Sequence, residues 1–337
     1  MDVHALNAWY ESNKRDLAFR KTQDPYHIWV SEIMLQQTQV DTVIPYFLKF
    51  IKKYPTVLAL AQTPLEVLLK DVEGLGYYRR FKLMLKAAIM IKDQYQGIFP
   101  NTYKDVLALP GVGHYTAGAI MSIAYKEPYS AVDGNVIRVL SRYFALGDDM
   151  RQEKHRKKIQ DINQTIIVKT KPHIYTQALM ELGAIICKPK DPKCDLCPLN
   201  THCLAHLNHT EEAYPVLSKL SQKVEKSYIT FIITDGNNLI LNKREEQLLE
   251  GMYEYPQVES ESLYDALNQF EADGIAIEPM GNPMTYKHVF THQIWLMTVY
   301  HARHIAGMRN SWQTLSADEV ASKPMAIAHK KIKKTMN

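Results

Sequence analysis

The chain reads as a multidomain protein: an all-α half built on a helix-hairpin-helix, followed by a smaller α+β domain. Three observations support this. A length of 337 residues gives room for about two separate cores. The apolar pattern keeps a helical period up to about Leu207 and changes to strand alternation from Lys226. All four cysteines fall in one short window where the helical half ends. The expected boundaries are 1–207 for the helical half, 208–226 for a polar linker and 227–337 for the second domain.

Residues 3–13 read as a first helix, and Asp24-Pro25 marks the next break. A helical pattern then runs through Ile28–Gln37 and on past Pro45 to Tyr54, where Pro55 closes it. Thr63-Pro64-Leu65-Glu66 combines a Thr cap, a proline at the first helical position and a glutamate at the capping-box position, which predicts a helix start. EGLGYY (Glu73–Tyr78) is a glycine turn leading into the helix RRFKLMLKAAIMIKDQY.

The helix-hairpin-helix is expected over about 103–125. A short helix ends near Pro110, Gly111-Val112-Gly113 makes the turn, and an apolar helix begins at about Tyr115. Glycines at 111 and 113 let backbone N–H groups approach an anion, and the helix adds its positive N-terminal end, so a phosphate is the guest this turn suits. A plain turn between two helices is the other reading. Beyond the linker, Ser227–Thr234 alternates as a strand, DGNN (Asp235–Asn238) signals a tight hairpin, and HVFTHQIWLMTVYHA again alternates as strands. There is no internal repeat and no low-complexity tract.

Charge is nearly balanced, with 40 basic against 36 acidic residues and a net +4, so the total makes no case for nucleic acid. Two local runs are basic, Arg151–Lys158 and His329–Lys334, and each reads as either solvated surface or DNA contact. The N-terminal segment mixes acids and bases with no apolar core, and no stretch is long enough to span a bilayer. A soluble, cytoplasmic protein without a membrane partner is expected.

Two acids stand out. Glu32 lies in WVSEIMLQQT (Trp29–Thr38), where Ile28, Met34 and Leu35 make a core face; a carboxylate there costs several kcal/mol unless partnered or protonated. Asp133, in Val132-Asp133-Gly134-Asn135, reads either as the N-cap of the helix that follows or as the second member of an acid pair. Cys187, Cys194, Cys197 and Cys203, spaced C-x6-C-x2-C-x5-C, imply one metal centre rather than disulfides in a chain with ample core. Zinc sites usually use two short cysteine pairs and this window has one, whereas thiolates also hold iron–sulfur clusters.

The order and spacing of WVSEIMLQQT, EGLGYYRR, LPGVGHYTAGAI and AVDGNVIRVL resemble the adenine DNA glycosylases (the MutY family) of the endonuclease III superfamily, over nearly the whole chain. The resemblance implies base excision repair by a monomeric enzyme working with the chromosome. The reaction is hydrolysis of the N-glycosidic bond of adenine mispaired with 8-oxoguanine or guanine in double-stranded DNA. It makes Glu32 the general acid and base, Asp133 the stabiliser of an oxocarbenium ion, and Tyr115 and Asn135 their supports. It assigns a [4Fe-4S] cluster to Cys187, Cys194, Cys197 and Cys203. Because the target base must leave the stack, it gives Gln37 and Tyr77 as wedges, with Leu35, Thr38 and Arg20 near the flipped or opposing base. Tyr77 in a core and Gln37 on a plain surface are the alternatives.

Relatives that also cut the backbone carry a lysine where this chain has Tyr115, and a tyrosine cannot form a Schiff base, so a one-step glycosylase is expected. The chain has Ala18-Phe19-Arg20 where the family more often has Pro-Trp-Arg. Lys243–Glu259 resembles the Nudix-like domain that reads oxidised guanine, but Arg244-Glu245 is followed by Glu246, Gln247, Leu248 and Leu249, so the paired acids of a Nudix hydrolase are missing. Phe290-Thr291-His292 corresponds to the recognition loop, with Thr291 where serine is commoner; a role-free Thr291 and His292 inside a strand is the alternative. The rival functions are a bifunctional glycosylase/AP lyase and a non-catalytic DNA-damage sensor.

Overall fold

Asp2 accepts a hydrogen bond from the Ala5 N–H and so starts α1, Val3–Asn13, at the residue the sequence expects. The computed structural model describes residues 1–219 and 222–333. Within it the chain forms two units, Met1–Gln62 with Leu83–Lys219, and Thr63–Lys82 with Leu220–Asn337.

In the first unit α2 (Pro25–Leu35) is capped by Asp24, which accepts from the Tyr26 and His27 N–H groups, with proline at its first position. The helical pattern read through Gln37 stops two residues early. Gln37 takes a positive φ of 60°, which breaks the ladder before α3 (Val40–Lys53) begins. Next comes α4 (Val57–Ala61). In the second unit lies α5 (Leu65–Asp71), and α6 (Arg79–Gln94) runs from that unit into the first. The hairpin is α7 (Tyr103–Ala108) and α8 (His114–Ile123), joined through Gly111 at φ 79°. The first unit is completed by α9 (Gly134–Tyr143), α10 (Glu153–Ile167), α11 (Pro172–Ile185) and α12 (Leu204–Leu207). Its core packs α1 and α9 around α11, with Leu6, Leu140, Tyr175 and Leu182 fully buried.

Glycines decide two close approaches. A Cβ at Gly118 on α8 would lie 2.1 Å from the Ser130 carbonyl oxygen, and one at Gly183 on α11 would lie 2.5 Å from Asn135 Cβ. Both contacts press on the segment that carries Asp133.

The second unit holds a seven-stranded sheet. The strands are β1 (Val224–Asp235), β2 (Asn238–Lys243), β3 (Tyr253–Glu254), β4 (Gln257–Glu259), β5 (Ala276–Val289), β6 (Gln293–Ala306) and β7 (Trp312–Leu315). The path is β3-β2-β1-β6-β5, with β4 on β1 and β7 on β2. β1 and β6 are parallel, and DGNN makes the β1–β2 hairpin with Gly236 at φ 60°. Helices α13 (Leu263–Ala272), α14 (Ala317–Ser322) and α15 (Ile327–Lys333) accompany the sheet. Apolar clusters form on both of its faces, one around Phe231, Phe270 and Trp312, the other around Tyr255, Trp295 and Ile332.

Three local readings gain detail from the fold. At Thr63–Glu66 the expected helix starts at Leu65 with Pro64 at the cap position, and Glu66 receives Lys323 (2.8 Å), Lys243 and the Tyr253 hydroxyl (3.2 Å each). The basic C-terminal run is solvated in part, since Lys330 and Lys331 are exposed. His329 and Ile332 are fully buried and Lys330 pairs with Glu73 at 2.6 Å, while Lys334 lies outside the described residues. The run HVFTHQIWLMTVYHA lies in two strands, as its alternation suggests, with Phe290-Thr291-His292 turning between β5 and β6. Thr291 and His292 are therefore exposed at a hairpin tip and not strand-interior. Residues 245–251 form turns, with Arg244 bound inward to Glu254 (2.5 Å) and the Leu248 carbonyl (2.9 Å), in place of a metal-binding helix.

Candidate active site

Glu32 sits on the inner face of α2 and keeps 7 % of its surface, among Trp29, Ile33 and Met34. Burial disfavours its charged form and pushes its pKa up to about 7; the Tyr115 hydroxyl bond opposes this, nearby Asp133 adds to it and Arg20 opposes it. Tyr115, in the first turn of α8, donates its hydroxyl to Glu32. Burial, then the charges of Glu32 and Asp133, hold the phenol well above its usual range, so it stays a donor.

Asp133 fulfils the cap reading, and its second oxygen is held by Asn135. Its Oδ1 accepts from the Val136 N–H at 2.7 Å and caps α9, and its Oδ2 accepts from Asn135 Nδ2 at 2.8 Å. Burial raises its pKa, while those two bonds and the Arg138 charge work the other way. The cap is what aims the carboxylate, since it fixes the side chain against the end of a helix whose partial positive charge favours an anion.

Behind these groups stand residues that motif spacing did not single out. Arg138 donates to Asn135 Oδ1 (2.8 Å), the Gly183 carbonyl (2.7 Å) and the Cys187 carbonyl (2.7 Å). Arg142, one turn later, donates to the Lys188 (2.6 Å) and Pro189 (2.9 Å) carbonyls and to Cys187 Sγ (3.3 Å). Two arginines four residues apart on an amphipathic helix lie on one face, which was the available signal. Arg20 is held by Glu181 at 2.7 Å, and Arg15 binds the same carboxylate at 2.8 and 2.9 Å. Burial opposes the charge of Glu181, yet the two guanidinium groups together bring its carboxyl down to about 2.

The four cysteines line one cavity together with Arg142, Asn200, His206 and Glu211. Four soft thiol donors around a single hollow are a donor set that suits iron–sulfur or another thiophilic metal. Among the remaining expected residues, Leu35 and Thr38 are half-buried and Gln37 is exposed at the α2–α3 break. Gly113 caps α8 without a side-chain bond, leaving the first backbone N–H groups of that helix free of a side-chain partner at the cap. Tyr77, Thr291 and His292 belong to the second unit, where the exposed Tyr77 (φ 48°) bonds its hydroxyl to that of Thr291. A core role for Tyr77 is therefore excluded.

A family model described as HhH-GPD superfamily base excision DNA repair protein matches residues 30–164, and one described as NUDIX domain matches residues 229–335. An adenine DNA glycosylase of Buchnera aphidicola subsp. Acyrthosiphon pisum (strain APS) is 35% identical over 290 residues, which is 86% of this chain and 82% of the relative. The adenine DNA glycosylase of Homo sapiens is 38% identical over 226 residues, 64% of this chain and 41% of that longer protein. Among solved structures, a thermostable thymine-DNA glycosylase gives a TM-score of 0.57 at 31% identity, covering 61% of this chain and 95% of that one. Likeness along most of both sequences, on a helix-hairpin-helix half and a Nudix-like half, places this chain in the adenine DNA glycosylase family, hydrolases of N-glycosyl bonds in base excision repair.

Proposed function

We propose that the enzyme removes adenine mispaired with 8-oxoguanine or guanine in double-stranded DNA, acting as a monomer in the cytoplasm beside the chromosome. Glu32 protonates the departing adenine and then activates water, and Asp133 faces the sugar as an anion. The carrying observation is the buried Glu32, its carboxyl near 7 and hydrogen-bonded to Tyr115, with Asp133 close enough to raise it further. An acid half-protonated near neutrality has a proton to give, and the neighbouring anion offsets charge that develops on the sugar. Asn135 holds Asp133, and Tyr115 holds Glu32. Tyr115 offers no amine, so the product is an abasic site in an intact strand.

Residues 1–207 carry this chemistry and 227–337 read the opposing base, with 208–226 between them. On that reading Gly111 and Gly113 take a DNA phosphate, Gln37 and Tyr77 fill the space left by the flipped base, and Leu35, Thr38 and Arg20 line its path. Thr291 and His292 supply donors and acceptors to the oxidised edge of guanine. A [4Fe-4S] cluster on Cys187, Cys194, Cys197 and Cys203 would fasten the 187–203 loop, whose backbone carbonyls hold Arg138 and Arg142.

The test is single-turnover excision on duplex containing adenine opposite 8-oxoguanine, developed with alkali. Glu32→Gln should keep mispair binding and slow base release by about 10²–10⁴-fold, the usual worth of a general acid. A rate within threefold of the unmodified enzyme, by the same measure, sinks the assignment. Strand breaks before alkali would point to a lyase.

A further inference from the structure

Cys194, His206 and Glu211 bring one thiol, one imidazole and one carboxylate together, with a donor atom of each within 4.8 Å of the other two. All three line the cysteine cavity and all are half-buried. His206 and Glu211 follow the last cysteine, on α12 and just after it, and their side chains already meet, Nδ1 to Oε1 at 2.7 Å. Donors about 2.0–2.3 Å from a single tetrahedral ion sit roughly 3.5 Å apart, so side-chain shifts of about 1 Å, with His206 Nδ1 and Glu211 Oε1 parting from 2.7 Å, make a coordination shell. The rest of the cavity wall supplies soft donors in Cys187, Cys197 and Cys203 for a fourth position.

We propose that Cys194, His206 and Glu211 form a second, mononuclear metal site for a divalent ion of the zinc class, filled in molecules that lack an iron–sulfur cluster. Thiolate, imidazole and carboxylate are the three ligand types zinc takes, and a mixed set of them holds a single ion and not a four-iron cluster, which needs four thiolates. The ion takes the place of the hydrogen bond that now joins His206 Nδ1 to Glu211 Oε1. Because Cys194 serves both arrangements, the two are exclusive, and the metal supplied during synthesis decides which one forms. Two of its three ligands, His206 and Glu211, lie outside the four cysteines, so substitutions there test the site separately from the cluster assignment.

The experiment is metal analysis of the untagged full-length protein, produced either iron-replete or iron-limited with added zinc. Iron-limited protein should carry about one zinc per chain. His206→Ala and Glu211→Gln should each lower that zinc content by about tenfold or more, as expected when a ligand is removed. The same variants made iron-replete should keep unmodified iron content and absorption, because all four cysteines remain. Cys197→Ser should lose iron and keep zinc. Absence of zinc in the iron-limited protein overturns the proposal, and so does a zinc content that His206→Ala and Glu211→Gln leave unchanged, since the four cysteines would then be the ligands. If Cys197→Ser is insoluble, the histidine and glutamate variants decide alone.

Discussion

Glu32 shows how a single residue's surroundings set its chemistry. Burial moves its carboxyl from the usual carboxylate range to about 7. An acid that must be protonated to act loses its working form as pH rises, so the excision rate should stay level below that value and fall above it. Single-turnover rates across a pH series check this, and Glu32→Gln, slow throughout, should show no such limb. Gly183 makes a steric test of the other acid. Gly183→Ala puts a Cβ 2.5 Å from Asn135 Cβ, so either α11 or α9 must shift. Overpacking of this kind costs about 1–3 kcal/mol. We expect a lower melting temperature and slower excision together, because Asn135 is the residue that holds Asp133. Unchanged excision in a destabilised variant would show that the position of Asp133 tolerates the shift.

At the scale of elements, charged groups buried between helices hold the site. Glu181 on α11 ties down both Arg15 and Arg20, from the chain between α1 and α2. Its carboxyl is depressed to about 2, below its value in the unfolded chain. The stabilisation is therefore complete above the ordinary carboxylate pKa, and it is lost as pH falls towards 2 and the folded carboxylate takes up its proton. Urea midpoints measured from neutral to acid pH should fall across that window, and Glu181→Gln should flatten the fall while lowering the plateau. A parallel curve for the variant would mean other carboxylates carry the acid sensitivity. In the second unit, Glu66 and Glu73 play the corresponding part for α5, through Lys243, Lys323 and Lys330.

For the whole molecule, the division of labour is tested at the hairpin tip. On the proposed function, Thr291→Ala removes a hydroxyl that reads the oxidised base, and one such bond is worth roughly 1–3 kcal/mol. Excision opposite 8-oxoguanine should slow by about tenfold, at 1.4 kcal/mol per decade, while excision opposite guanine changes less. Equal slowing on both duplexes would assign the tip to general DNA affinity, with a salt dependence to match. The local features were legible in the sequence because each is written in contiguous residues. The Asp24-Pro25 break precedes α2, Gly111 and Gly236 turn the backbone, and the closely spaced cysteines line one cavity. What the sequence left open depended on partners far along the chain. The partners of Glu66, Lys243 and Lys323, lie far along the chain, and nothing in the basic C-terminal run tells that His329 is buried beside Glu254 while Lys330 and Lys331 stay exposed. Capping leaves Asp133 an oxygen to spare, since one takes the Val136 N–H and the other the Asn135 amide. Sequence determines the short-range hydrogen bonds and the pattern of burial. Only the folded chain decides which distant charges meet, because a buried carboxylate takes its pKa from whatever donors and anions tertiary packing brings within a few ångströms of it.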